Sequence, residues 1–564
     1  MLFTKKWYKE PWLYFVVFWL ALNLVQAAGT ELTSDEGYYW FYSRMLEWGY
    51  YDHPPMVALM IKTGSRLING EPGVRIMNVL LSTGTLILLL SLLKKEVRNN
   101  INVFLVFLSV PLFNYLGFIV FPDGPLLFFS TLFLLIYKRF IQKPDRYVAV
   151  CLGVVIALML YSKYHALLVL VFTLMANPKL LRSQLFYMAG ATAFVLFLPH
   201  IWWQYKHQFV TFEYHLSGRR EAFSLSHVTD YIFQQLLALG PGLVFIPFRR
   251  KTTGVFERTL QYIIIGTLCF FLISSFTTFV HFHWTSIVLV PLLFFAAAYY
   301  SQPGNHLTLK LLVVPLTIIV LVARIQLVFP FLPFDHVNAD YYHGRKSWAQ
   351  DIKNLTKGAP VLFPKNLREA GLYSFYSGKT GVAFYGGSDK RSQYDIWDYE
   401  DSLQGKTVWF IAPNSFPGST EFLTRPGIKI FYLSIPDYRS FYNHLPIKTE
   451  MAGHVNDSML GISIVLKNER KDSLYFTPNY SGEYPSFVYS IEQAGRQVKT
   501  NTVFVFDHHA PLAPQACFKL DCTVPLAGLH AGHYSLYIAI QYGVLPQAFN
   551  SNKLNVVIPE PSLK

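Results

Sequence analysis

Cysteine is scarce, with four in 564 residues, which excludes a disulfide-built scaffold and a cysteine metal cluster. Cys151 and Cys269 fall in apolar runs, and Cys517 and Cys522 stand five positions apart. Along an extended strand that spacing is about 16 Å, beyond disulfide reach, so a bridge would require a turn within Phe518 to Asp521. Charge is thin as well. Only 15% of residues are charged, against 52% hydrophobic and 17% aromatic, with a mean hydropathy of +0.30. That balance excludes a soluble globular protein of this length. Acids are outnumbered, 34 to 48, giving a net charge of +14. A basic excess can point to nucleic acid, but here it falls in short clusters between apolar runs. The positive-inside rule accounts for that placement and nucleic-acid binding does not.

What is abundant is apolar length. Against the roughly 20 residues that cross a hydrocarbon core, the runs are 12–28, 74–93, 101–120, 126–137, 147–161, 166–176, 184–201, 231–248, 260–280, 285–300 and 309–331. They predict a mainly α polytopic membrane protein with about eleven crossings. If Lys5, Lys6 and Lys9 are cytoplasmic, then Lys94, Lys95, Lys138, Arg139, Lys179, Arg182, Arg249, Arg250, Lys251 and Lys310 fall on that side too. Val25, Gln26, Ala27 and Ala28 would suit a signal peptidase. Cleavage there, however, leaves the length of the first run unexplained.

Beyond Phe331 no spanning run remains. We expect three regions: 1–331 within the membrane, 332–445 an extracytoplasmic α/β region, and 446–564 an extracytoplasmic β-sandwich-like domain. The second carries short strands at 359–363, 406–411 and 428–431 and a helix at 366–377. The third alternates strands such as 462–466, 486–491, 503–506 and 534–540 with Gly, Pro and Asn turns.

The chemistry-bearing side chains gather on the outer face. Directly after the first run come Thr33, Ser34, Asp35 and Glu36, and Asp52, His53, Pro54 and Pro55 follow in the same loop. Asp123 lies between Pro122 and Gly124-Pro125. Lys163 and His165 occupy a short hairpin, Glu213, His215 and Arg219 follow the seventh run, and His281 and His283 precede Trp284. Carboxylates beside a bilayer are solvated, paired or used. Thr33 and Ser34 are helix N-caps, and an acid in the first turn of the following helix stays ionised through the helix dipole. Asp35 and Glu36 therefore read either as a plain cap or as reactive acids, and Asp123 as a turn former or a site acid. Lys163 either snorkels to the interface or meets an anion. The aromatics Tyr38, Tyr39, Trp40, Tyr42, Trp48, Tyr50 and Tyr51 are expected mostly as an interfacial belt.

Taken together these pieces resemble the glycosyltransferase family 39 and aminoarabinose-transferase group of GT-C membrane enzymes. The matching residues are Asp35-Glu36, His53-Pro54-Pro55, Gly73-Val74-Arg75, Pro122-Asp123-Gly124-Pro125, Ser162-Lys163-Tyr164, and Pro199 through Trp203 leading to Phe212, Glu213, Tyr214 and His215. Their order and membrane side agree, and they cover roughly the first 330 residues.

The resemblance implies transfer of a sugar from a polyprenyl-phosphate carrier to lipid A, another glycolipid or glycan, or a protein hydroxyl, on the periplasmic side of the cell inner membrane. An acceptor hydroxyl must lose its proton as the sugar C1–phosphate bond breaks, so a carboxylate serves as general base and one displacement inverts C1. Asp35 is the candidate base, with Glu36 beside it, and the family pattern gives Asp123 the supporting acid. Lys163, Arg75 and Arg219 are candidates for the donor phosphate. Some members of the group bind zinc, for which Asp52, His53 and His215 are the equivalent positions. Asp-His-Pro-Pro departs from the acid-Lys-Pro of the aminoarabinose branch, and His53 and His215 read equally as a loop-bonded and a surface histidine. A transporter or flippase of lipid-linked sugars is the alternative, though the chain shows no internal repeat and its spans are nearly free of charge.

Overall fold

The computed structural model describes residues 10–216, 223–249, 252–332, 342–384, 392–397, 399–441, 445–456, 459–479, 481–493, 496–545, 547–548 and 550–558. Lys5, Lys6, Lys9, Arg219, Arg250 and Lys251, given roles above, lie outside the described residues. The chain divides into two compact units, Met1–Lys346 and Ser347–Lys564.

The first unit is helical, and each of the eleven expected runs holds helix. The order is α1 (Pro11–Gly29), α2 (Ser34–Arg44), α3 (Met56–Leu67), α4 (Gly70–Leu92), α5 (Lys95–Arg98), α6 (Ile101–Ser109), α7 (Pro111–Tyr115), α8 (Asp123–Gln142), α9 (Arg146–Ser162), α10 (Ala166–Ala176), α11 (Gln184–Lys206), α12 (Val210–Leu216), α13 (Leu225–Leu239), α14 (Val255–Ser274), α15 (Leu289–Tyr300) and α16 (His306–Val328). Among the described residues seven helices are long and apolar enough to cross a membrane, and α9 and α10 are shorter apolar ones. The chain is a multi-pass membrane protein.

Two runs are interrupted for local reasons. Pro111 cannot donate to the preceding turn, so the 101–120 run breaks into α6 and α7 at Val110. The Asn114 amide restores the lost bonding by donating to the carbonyls of Phe107 (3.3 Å), Leu108 (3.0 Å) and Val110 (3.0 Å). The 231–248 run begins earlier, at Leu225, and ends at Leu239, where Gly240 turns the chain at φ +89 ahead of Pro241.

Glycine sets the helix spacing near the outer loops. A Cβ on Gly73 would stand 1.7 Å from the Ile68 carbonyl oxygen, and one on Gly64 2.2 Å from that of Gly73. α3 and α4 therefore meet backbone to backbone, which directs Arg75 toward α2.

The second unit opens within helix α17 (Arg345–Leu355) and continues into a mixed sheet in the order β2-β1-β3-β5-β4, from β1 (Val361–Pro364), β2 (Gly381–Phe384), β3 (Val408–Ala412), β4 (Thr420–Leu423) and β5 (Lys429–Ile435). β1 pairs parallel with β2 and β3, and helix α18 (Leu367–Ser377) supplies the crossover. Two antiparallel sheets follow, β10-β7-β6 and β12-β11-β8-β9. Their strands are β6 (Ile447–Asn456), β7 (Met459–Lys467), β8 (Ser486–Gln493), β9 (Arg496–Val505), β10 (Cys517–Pro525), β11 (Gly532–Gln541) and β12 (Leu554–Ile558). Every second residue of β7, Leu460, Ile462, Ile464 and Leu466, is fully buried, as a one-faced strand requires. Cys517 and Cys522 both lie in β10, where the extended backbone keeps them apart, and both are free thiols.

Candidate active site

The loop after α1 opens α2 with Thr33 as N-cap. The Glu36 amide donates to Thr33 Oγ1 (3.2 Å) and the Thr33 amide to Glu36 Oε2 (3.0 Å), completing a capping box. Glu36 is also an ion-pair partner. Arg75 Nε donates to Oε1 (2.7 Å) and Nη2 to Oε2 (2.6 Å), while the Val120 amide adds a bond to Oε1 (3.1 Å). Arg75 spends its other donors on the carbonyls of Ala27 (3.2 Å), Thr30 (2.6 Å) and Glu31 (2.9 Å). Both side chains have 0% exposure. A fork that saturated cross-ties the α1–α2 loop, α4 and the segment before α8. Arg75 thus sits in an enclosed clamp, not at an open phosphate-facing position. Asp35, one residue earlier, is partly exposed.

Asp123 begins α8 and is fully buried. Lys163, the C-cap of α9, sets its ammonium 2.9 and 2.7 Å from the two carboxylate oxygens, and Ser286 Oγ donates to Oδ1 (2.8 Å). His283 Nε2 lies 4.0 Å from Oδ2. Lys163 is therefore neither snorkelling nor alone: a carboxylate offsets the cost of burying it. A Cβ on Gly124 would stand 2.0 Å from Asn78 Oδ1. The Asn78 amide in turn donates to the carbonyls of Leu116 (3.0 Å) and Ile119 (2.9 Å), fixing the approach to Asp123.

The 50–53 loop packs over the same region. The Tyr42 phenol donates to the Asp52 carboxylate, and Tyr39 Oη lies 3.4 Å from His53 Nε2. Burial, and then the Asp52 charge, hold Tyr42 well above the ordinary phenol range, so it remains a donor. His215 Nε2 lies 3.0 Å from the Asp52 main-chain oxygen. Burial pushes His165 well below the usual imidazole range, helped by Lys163, His215, His53 and His283, which all face it.

The three residues expected as metal ligands do not converge. His215 addresses the Asp52 backbone, and the Asp52 carboxylate is taken by Tyr42. Among the described residues no three His, Cys, Asp or Glu side chains are grouped to hold a metal ion. The residues do not fit a zinc site.

The aromatic belt also departs from expectation. Tyr38, Tyr39, Tyr42, Tyr50 and Tyr51 are buried, and Tyr42 stacks on Tyr50 at 4.3 Å. Only Trp48 of that group is well exposed. The hydroxyls of Tyr39, Tyr42 and Tyr50 find partners inside, which removes the reason for those three to stay at the interface. Sequence reasoning also left Ser286 unnoticed and gave His283 no role. His283 stands two residues before the 285–300 run and Ser286 lies inside it, so no local pattern marked either.

Residues 52–203 match the family described as dolichyl-phosphate-mannose-protein mannosyltransferase. A lipid A galacturonosyltransferase, RgtD, from Rhizobium johnstonii is 27% identical over 190 residues, 32% of this chain and 40% of the relative. The match thus spans well under half of that protein. Among solved structures, ArnT from Cupriavidus metallidurans in the apo state superposes with a TM-score of 0.53 at 14% identity, over 75% of this chain and 97% of that one. The same protein bound to undecaprenyl phosphate gives 0.52 at 13%, with the same coverage. Residues 52–203 thus match that mannosyltransferase family, and the chain shares the fold of ArnT, a multi-pass membrane protein fold.

Proposed function

We propose that this chain moves a sugar from a polyprenyl-phosphate carrier to a hydroxyl of lipid A or a related glycolipid. The acids and the Ser347–Lys564 unit would lie on the periplasmic side of the cell inner membrane. The lipid A relative and the undecaprenyl-phosphate-bound neighbour favour this donor and acceptor. One observation carries the assignment of the base. Glu36 and Asp123 are completely buried and each is closed in an ion pair, whereas Asp35 keeps solvent access at the first turn of α2.

In this reading the acceptor oxygen attacks the sugar C1 while the C1–O bond to phosphate breaks, its electron pair leaving with the polyprenyl phosphate. Asp35 takes the acceptor proton, and C1 inverts. The α2 amino terminus keeps Asp35 ionised before the step. Asp123 shapes the site by fixing Lys163 in a neutral pair, from which a positioned N–H can donate to the leaving oxygen without supplying net charge. Arg75 acts at a distance, by fixing Glu36 and with it the loop that presents Asp35.

The test is release of polyprenyl phosphate by the purified full chain in nanodiscs, supplied with undecaprenyl-phosphate sugars and lipid A. Release that depends on acceptor supports the transferase. Transbilayer movement of the carrier lipid in vesicles, with no release, would support the flippase instead.

A further inference from the structure

Lys163 answers Asp123 within a buried pair, and Arg75 answers Glu36. Each of these cations offsets a carboxylate, so the enclosed pairs carry no net charge with which to meet a doubly charged phosphate. The next cation-capable group against the Asp123 pair is an imidazole. His283 sits on the 3-10 turn Phe282–Val288, with its Nε2 4.0 Å from Asp123 Oδ2 and its side chain 14% exposed, while Asp123 is closed. The same turn supplies Ser286, which donates to the other carboxylate oxygen. One element therefore both braces Asp123 and places a titratable ring at its solvent-reaching edge.

The ring is fixed by its neighbours. It lies 4.8 Å from Phe121 and 5.6 Å from His281, against which it stacks. Phe121 also meets Tyr39, the partner of His53, so the wall is continuous with the 50–53 loop. The groups facing the turn from the elements packed against it are few. Asp123 comes from the start of α8, Lys163 and His165 from the α9–α10 hairpin, and His281 from the preceding residue pair. Tyr115 of α7 meets Phe282, and Tyr231 of α13 packs into the cluster that includes Trp284. Phenols ionise far above neutrality, leaving imidazole as the group that changes charge there.

We propose that His283 is the proton-dependent cation of the anionic-lipid site, contacting the phosphate of a polyprenyl phosphate beside the Lys163–Asp123 pair. This rests on the donor class given under Proposed function. With imidazole neutral, the Lys163–Asp123–His283 trio carries no net charge; with imidazolium, it carries one positive charge. Phosphate and proton therefore bind in mutual support, and release of the phosphate is eased as the proton departs.

The experiment is equilibrium binding of undecaprenyl phosphate to the full chain in nanodiscs at pH 6 and pH 8, for wild type, His283→Gln and His283→Lys. The phosphate's own second ionisation tilts all three alike, so the reading is the ratio between variants. We expect wild type to bind about five- to tenfold tighter than His283→Gln at pH 6 and equally at pH 8, in keeping with the worth of a charge-assisted hydrogen bond. His283→Lys should bind tightly at both values. A wild-type to His283→Gln ratio that does not change with pH overturns the proposal while leaving the donor assignment intact. Absence of wild-type binding at either pH overturns the donor assignment and the proposal together.

Discussion

Replacing Arg75 separates a clamp from a phosphate ligand. The guanidinium makes five contacts inside a fully buried site, two of them to Glu36. Removing one partner of such a pair leaves a buried charge unanswered and costs about 3–5 kcal/mol. At about 2.1 cal/mol/K of unfolding entropy per residue, that is on the order of a 3–7 °C fall in unfolding midpoint. Arg75→Met should show this loss, and Glu36→Gln a similar one, because Arg75 then faces only carbonyls. The Arg75→Met/Glu36→Gln double variant should recover part of it, with a coupling of about 1–3 kcal/mol. Arg75→Lys should fall between, since an ammonium keeps the charge and loses the fork. The assay is thermal unfolding of the full chain in nanodiscs, followed by intrinsic fluorescence, alongside undecaprenyl-phosphate binding. If Arg75→Met unfolded at the wild-type temperature yet lost lipid binding, the clamp assignment would be wrong and Arg75 would return to the phosphate.

Further outcomes follow from the same contacts. Glu400, buried beneath the Tyr438 hydroxyl (2.6 Å), is pushed up to about 7, chiefly by burial. A raised acid contributes stability that is complete below its unfolded value and is lost as pH rises through 7, here about 3 kcal/mol. Hydrogen exchange of the β3 and β5 peptides should therefore show better protection at pH 5 than at pH 8 after correction for intrinsic rates, and Glu400→Gln should flatten the difference. Gly73→Ala, whose Cβ would press on the Ile68 carbonyl, should prevent accumulation of folded protein, whereas Gly190→Ala, with nothing within 4 Å, should not; size-exclusion yields compare them. Burial, with Asp521 nearby, pushes the Cys522 thiol up to about 11, so maleimide should label exposed Cys517 first at pH 7.5, and non-reducing gels should show no bridge.

Periodicity and length made the membrane unit legible, because burying or lipid-facing an apolar helix needs a long run whatever it packs on. Breaks inside runs were harder to read. At the Pro111 interruption Asn114 bonds back to three carbonyls four to seven residues earlier, a local arrangement that apolar periodicity does not register. In the second unit, strands with apolar alternation such as β7 and β11 stood out, while β10, with Lys519 and Asp521 on its outer side, and the Gly- and Asn-containing β6 did not. At the site, the residue types in the outer loops were visible, but pairing was not. Whether an acid is a base or half of an ion pair depends on which helix crosses opposite it, and Gly64, Gly73 and Gly124 settle that through close approach. The tyrosines of the first loop show the same limit: their composition suits an interface, while the hydroxyl partners of Tyr39, Tyr42 and Tyr50 lie inside.

The central claim is that Asp35, not Glu36 or Asp123, takes the acceptor proton. It is tested by single-turnover transfer from an undecaprenyl-phosphate sugar to lipid A, comparing wild type with Asp35→Asn at matched stability and matched donor affinity. We predict a fall of about two to four orders of magnitude in the chemical step, the usual worth of a general base, with unfolding temperature and lipid binding unchanged. Transfer by Asp35→Asn at the wild-type rate would contradict the account and move the search for the base to another residue.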